Sequence, residues 1–216
     1  MKLEQLGELD WDKGSGLLPA VVQDVDTGAV LMLGFMNRQA LRDTLTSRRV
    51  TFFSRSRQAL WVKGETSGHF LEVASVSTDC DADTILVQAH PAGPVCHKGT
   101  PTCFPDSERT AAGRLAFLVR LEHIVAERIA QKPEGSYTAE LFAQGPGRIA
   151  QKIGEEGVEV ALAAVGQDDA KIVGESADLL YHLVLLLRQR GLSLAEVAAE
   201  LELRHAGRRV SGPAED

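Results

Sequence analysis

The stretch Asp79-Cys80-Asp81-Ala82-Asp83 alternates carboxylates, with one thiol between the first two. Carboxylate oxygens suit hard cations such as Mg2+, whereas thiolates suit Zn2+. Two more thiols, Cys96 and Cys103, follow in the Gly/Pro-containing loop CHKGTPTCF. These are the chain's three cysteines. An odd number behind an acidic, polar opening segment makes a poor disulfide framework and reads instead as metal ligands or reactive thiols. The bland alternatives are thiols buried as small hydrophobes and aspartates in a solvated turn. A calcium loop of the EF-hand type is rejected. Counted from Asp79, its glycine and final glutamate positions hold Thr84 and His90. Structural zinc usually takes four protein ligands, so three thiolates leave a position for water or a histidine, and open zinc acidifies its water to a pKa of about 7. In an extended segment side chains alternate faces. The expectation is two cations sorted by that alternation, with Asp79, Asp81 and Asp83 offering oxygen to Mg2+ and Cys80 offering sulfur to Zn2+ on the opposite face.

A second acidic pattern lies in KIGEEGVEV and GESADLL. Glu156 and Glu159 are three apart, as are Glu175 and Asp178, and on helices that spacing puts each pair on one face. Two such helices facing each other would present four carboxylates to Mg2+, with Glu155 as a spare. An exposed acidic helix face is the alternative. Against it, Val158, Val160, Ala161 and Leu162, with Leu179 and Leu180, make the helices apolar enough for a bundle core. Gly154 and Gly157 each cost roughly 1 kcal/mol against Ala inside a helix, and are best tolerated where a partner helix or ligand comes close. Arg148, Lys152, Glu156 and Glu159 share a stripe, suited either to a metal–polyphosphate or to ordinary i,i+4 salt bridges.

The elements that must hold these groups fall into two halves. From Leu17 to His90 the pattern is short and strand-like. LLPAVVQDV and AVLMLGFM flank the turn signal DTG, and four further strands are expected at VTFFS, ALWVKG, HFLEVASVS and TILVQAHP. One helix interrupts them, NRQALRDTLTSRR, with Asn37 as N-cap. After CFPDSERTAAG the spacing turns helical: RLAFLVRLEHIVAERIAQ, a short helix opened by Ser136, GRIAQKIGEEGVEVALAAV, DAKIVGESADLLYHLVLLLRQR stopped by Gly191, and a last helix opened by the capping box SLAE. The boundary is expected near residues 105–112. Residues 1–106 then form a β-rich α+β domain and residues 112–216 an all-α domain. The net charge of −7 argues against a nucleic-acid binder. The longest apolar run, LLYHLVLLL, is too short to span a membrane. A cytoplasmic protein is expected.

SRSRQALWVKGETSGH, DCDAD and CHKGTPTCF together resemble the signature stretches of phosphoribosyl-AMP cyclohydrolase, over about Leu17 to Phe104. That resemblance implies zinc on Cys80, Cys96 and Cys103, in a site shared across a homodimer interface, and Mg2+ on Asp79, Asp81 and Asp83. It implies that activated water attacks C6 of the adenine of phosphoribosyl-AMP, after which the N1–C6 bond opens. A general base is then needed. His97 is the first candidate and His69 the second, the alternative for either being an orienting role or a plain loop histidine. Arg55, Arg57 and Lys63 are candidate phosphate contacts. Trp61 is a candidate for stacking on a base or for the core. The stretch from SYTAELF through GRIAQKIGEEGVEV to ESADLLYHLVLLL resembles phosphoribosyl-ATP pyrophosphohydrolase, an all-α MazG-like enzyme, over about Leu115 to His205. It implies Mg2+ on Glu156, Glu159, Glu175 and Asp178 and hydrolysis of the α–β phosphoanhydride; the shared stripe, not the resemblance, makes Arg148 and Lys152 candidate substrate contacts. The two resemblances are consecutive steps of histidine biosynthesis, so a bifunctional hydrolase acting on phosphoribosyl-ATP and then phosphoribosyl-AMP is expected. The alternative is a cyclohydrolase fused to a general nucleotide pyrophosphohydrolase.

Overall fold

The computed structural model describes residues 1, 3–166 and 168–209. The chain divides into two compact units, Met1–Phe117 and Leu118 onward. The first carries the strands and the second is helical.

In the first unit, β1 (Leu18–Asp24) alternates inward Leu18, Ala20 and Val22 with outward residues. It turns at Asp24, whose Oδ1 accepts from the amides of Asp26 and Thr27 at 2.9 and 3.1 Å, and pairs antiparallel with β2 (Val30–Met36). Asn37 caps α1 (Arg38–Ser47) by accepting from the Ala40 amide at 2.8 Å, a contact of about 1 kcal/mol. β3 (Thr51–Ser54) and β4 (Ala59–Val62) form a separate hairpin. β5 (Leu71–Thr78) and β6 (Ile85–Pro91) pair antiparallel, and β6 returns parallel to β1, giving the order β2-β1-β6-β5. Leu18, Met36, Leu41, Phe52, Leu71, Ile85 and Val87 are fully buried between sheet, helix and hairpin. Gly34 is required here. A Cβ would lie 2.3 Å from Cδ1 of Phe52, so the hairpin's aromatic ring packs directly on the β2 backbone. Trp61 packs beyond it at a tilt of 34°, with its ring centroid 5.2 Å from that of Phe52.

The second unit holds α3 (Tyr137–Ala143), α4 (Pro146–Val165), α5 (Asp169–Gln189) and α6 (Leu194–Arg209). The helix before them, α2 (Ala111–Gln131), contains the boundary between the units. Ser136 and Asp168 cap α3 and α5. The expected capping box opens α6, with the Ser193 amide donating to Glu196 Oε2 at 2.8 Å. Val125, Leu141, Ile149, Val184 and Leu185 form the small core. The expected core role of Val158 and Leu162 is not met within one chain: they are 60% and 66% exposed. Nor, apart from the adjoining residues and nearby backbone of the same helix, does any described atom come within 4 Å of a Cβ placed on Gly154 or Gly157. The helices are too few to cover both faces of α4.

Candidate active sites

The first unit contains a cavity of about 500 Å3, within the range of small-molecule sites. Its lining includes Met32, Arg57, Trp61, Lys63, Glu65, His69, Cys96, His97 and Cys103. The loop carrying the cysteines is pinned to β2. The Cys103 amide donates to Leu31 O at 2.8 Å, and the buried Thr102 hydroxyl donates to Val30 O at 2.6 Å. The two thiols lie side by side. The Lys98 backbone N–H, then the Thr100 hydroxyl, hold the Cys96 thiol below its ordinary value, while burial, then Cys96, push Cys103 up. A thiol readily ionised beside a second is a donor pair that fits zinc. Lys63 is buried against them, and burial lowers its pKa while the nearby thiolates oppose that. His97 Nδ1 is 3.9 Å from Cys96 Sγ. His69 is held more firmly, with Nδ1 3.1 Å from Pro94 O. Gly93 makes room for its ring, since a Cβ there would lie 2.7 Å from His69 Cδ2. Arg55 is not brought to this lining; its guanidinium stacks 3.8 Å from the Phe35 ring centroid.

Cys80 sits elsewhere, in the exposed turn between β5 and β6. Cys103 hangs from β2, two strands away from β6 and near the level of Val87, so strand spacings put the two roughly 15 Å apart or more. Zinc–sulfur bonds are about 2.3 Å, so one chain cannot close this ligand set.

The aspartates converge, but not by pleating. Residues 79–83 form a turn and not an extended segment, with Ala82 at φ 59°. Asp79 Oδ1 closes it by accepting from the amides of Asp83 and Thr84 at 3.1 and 3.0 Å. Carboxylate oxygens of Asp79, Asp81 and Asp83 lie within 4.8 Å of one another. Lys13 stands in as the cation: its Nζ is 2.7 Å from Asp81 Oδ2 and also pairs with Asp83. The hydrogen bond from Lys13, then that from Thr84, lowers the Asp83 pKa, and the two carboxylates raise that of Lys13.

In the second unit α4 and α5 bring Glu156, Glu175 and Asp178 together, with oxygens within 4.8 Å of one another. Glu159 adjoins Glu175. Partial burial, then Glu159, then the charges of Glu156 and Asp178 raise the Glu175 pKa, as crowding of like charges does. Glu156 is buried and pairs with Lys152 at 3.0 Å. Glu155 takes Lys152 at 2.8 Å and Arg148 at 3.9 Å, so the expected Arg148 stripe ends on the spare glutamate. A cavity of about 740 Å3 adjoins the cluster, lined by Arg128, Tyr137, Lys152, Glu156, Asp178, Tyr181 and His182 among others. Sequence reasoning missed Tyr137, Tyr181, His182 and Arg128. The signal for His182 was present: a histidine four residues after Asp178 inside an apolar run.

Two families match the chain in the same order. Phosphoribosyl-AMP cyclohydrolase matches residues 32–105, and phosphoribosyl-ATP pyrophosphohydrolase matches residues 118–205. The histidine biosynthesis bifunctional protein HisIE of Xanthomonas axonopodis pv. citri is 60% identical over 202 residues, covering 94% of this chain and 95% of its own. The HisIE protein of Escherichia coli K12 is 54% identical over 202 residues, covering 94% and 98%. The cysteine cavity thus falls in one matched segment and the carboxylate cluster in the other. The chain belongs to the HisIE family of bifunctional histidine-biosynthesis enzymes, a phosphoribosyl-AMP cyclohydrolase joined to a phosphoribosyl-ATP pyrophosphohydrolase.

Proposed function

We propose that the helical unit hydrolyses phosphoribosyl-ATP to phosphoribosyl-AMP and pyrophosphate, and that the strand-rich unit then opens the adenine N1–C6 bond. The observation that carries this is a cavity in each matched segment with side chains able to hold a metal in or beside its wall, Cys96 and Cys103 in the first and Glu156 and Asp178 in the second.

In the helical unit Glu156, Glu159, Glu175 and Asp178 hold Mg2+, which when bound offsets polyphosphate charge and orients water. Lys152, in the cavity wall, contacts phosphate oxygen; Arg148 reaches substrate only by leaving Glu155. The fold is proposed as MazG-like.

In the strand-rich unit Cys96 and Cys103 of one copy join Cys80 of a second to hold zinc, which when bound supplies an acidified water. The separation of Cys80 from the other two within one chain favours this shared arrangement. His97 takes the proton from water; the firmer seat of His69 supports it as the alternative base. Trp61 stacks on the purine. Arg57 and Lys63 receive phosphate, and Arg55 does so only by leaving Phe35. Asp79, Asp81 and Asp83 hold Mg2+ in place of Lys13. A homodimer is supported by a second observation: Val158, Leu162 and Val165 form an exposed apolar stripe on α4. The described residues include no helix long and apolar enough to cross a membrane, and the enzyme is proposed to act on small molecules in the cytoplasm.

Incubation with phosphoribosyl-ATP, following pyrophosphate and the ring-opened product separately, tests the division. Cys96→Ala should lose ring opening and keep pyrophosphate release; Glu156→Ala should lose pyrophosphate release but still open supplied phosphoribosyl-AMP. Loss of both activities in either folded variant would sink the two-site reading. Turnover of ordinary dNTPs by the helical site would favour the general pyrophosphohydrolase instead.

A further inference from the structure

His182 is 4% exposed in the apolar run of α5, yet only one of its ring nitrogens is engaged. Nε2 lies 3.1 Å from the Tyr137 hydroxyl. Nδ1 has no hydrogen-bond partner among the described residues, and Oε1 of Glu156 stands 3.7 Å away. A buried polar atom left unpaired is costly, so its persistence calls for a role.

The hydrogen-bond logic selects one tautomer. If Tyr137 accepted a proton from Nε2, a lone pair on Nδ1 would face a carboxylate oxygen. If the Tyr137 hydroxyl donates to Nε2, Nδ1 carries the hydrogen and aims it at Glu156. Asp178, Tyr181 and His182 share one face of α5 by their spacing. The start of α3 is tied to that face twice, by Tyr137 to His182 and by Thr138 Oγ1 to the Tyr181 hydroxyl at 2.7 Å. Tyr137 is itself half-exposed in the wall of the cavity. A path of contacts therefore runs from the cavity wall to the carboxylate.

We propose that His182 is a positioning residue for pyrophosphate release: its Nδ1–H, with Tyr137 fixing the tautomer, is directed at Oε1 of Glu156 across 3.7 Å and biases that carboxylate so that Oε2 is presented to the cation. This rests on the reading of Glu156, Glu175 and Asp178 as a cation site. Lys152 bears on the same Oε1 at 3.0 Å, so both basic neighbours act on one oxygen of Glu156.

The test uses the full chain with Mn2+ as probe, bound and free Mn2+ being separated by electron paramagnetic resonance. The helical site is the increment of binding in the wild type that Glu156→Gln removes. His182→Asn keeps a donor where Nδ1 stands, whereas His182→Gln keeps one only at the Nε2 position. His182→Gln should weaken that Mn2+ site about tenfold or more, as loss of an outer-shell partner does, and lower kcat for pyrophosphate release with KM for phosphoribosyl-ATP kept. His182→Asn should stay within about threefold of the wild type. Tyr137→Phe, at a half-exposed position that does not threaten folding, should weaken Mn2+ binding severalfold. Equal Mn2+ affinity in the Asn and Gln variants, or unchanged affinity in Tyr137→Phe, overturns the proposal. If the wild type shows no increment over Glu156→Gln, the cation reading itself has failed and takes this proposal with it, an outcome visible before any His182 variant is measured.

Discussion

Lys13 Nζ lies 2.7 Å from Oδ2 of Asp81, 68 residues further along the chain, and also contacts Asp83. The segment around it is anchored: the Asp10 amide donates to Ala82 O at 2.9 Å, and Trp11 is buried. The ammonium and a divalent cation therefore compete for the same oxygens. Lys13→Met should tighten Mg2+ at the aspartate turn by roughly threefold at low salt, and less at high salt, where surface charges are screened. Mg2+ titration of ring opening measures this. Weaker Mg2+ binding in the variant would mean that Lys13 supports the site and does not compete for it.

Cys80 and the Cys96/Cys103 pair lie too far apart to serve one zinc in one chain. Two inactive variants, Cys80→Ala and Cys96→Ala, should then complement when unfolded together and refolded. A two-fold symmetric heterodimer carries one intact ligand set and one doubly broken set. Random pairing makes half the dimers mixed, so ring opening should return to about one quarter of the wild-type value. Zinc content should recover in step. No recovery in a folded, mixed sample would rule out sharing.

Glu175 sits among Glu156, Glu159 and Asp178, and its raised pKa means the folded chain holds that proton more tightly than the unfolded chain. The stabilisation from this is full below the ordinary glutamate value and is lost as pH rises through the raised one. At neutral pH without a divalent cation the ionised group is a cost. Glu175→Gln should raise the metal-free Tm of the helical unit at pH 7, leave it nearly unchanged at pH 4, and abolish the Tm rise on adding Mg2+. A lower Tm at pH 7 in the variant would contradict the crowding argument.

The parts legible in the sequence are those set by local chemistry. Asn37, Ser136 and the Ser193–Glu196 box announce helix starts because capping is decided within a turn. The i,i+3 carboxylates were legible for the same reason, and the helix phase then buried Glu156 while turning Glu155 to Lys152 and Arg148. The aspartate cluster was legible, but not its cause: the left-handed Ala82 bends the chain where an extended segment was expected. Lys13 was not legible, because its partners are remote in sequence. His182 stood out as a histidine in an apolar run, but its partners Tyr137 and Glu156 lie on other helices and no local spacing announces them. The apolar face of α4 read as core, because periodicity reports that a face is to be covered without telling whether the same chain covers it.

The hydrogen bond from Cys103 N to Leu31 O ties the thiol loop to β2, an edge strand of the sheet. Edges of a sheet open at lower free energy than its interior. The thiol loop is therefore expected to share the fate of the border strand: a brief fraying of β2 would unfasten the cysteine pair while Leu18, Ile85 and Val87 stay shut in. Alkylation of Cys103 would clock those excursions, and a bound metal would act on the border as a clasp, slowing its breathing without touching the interior.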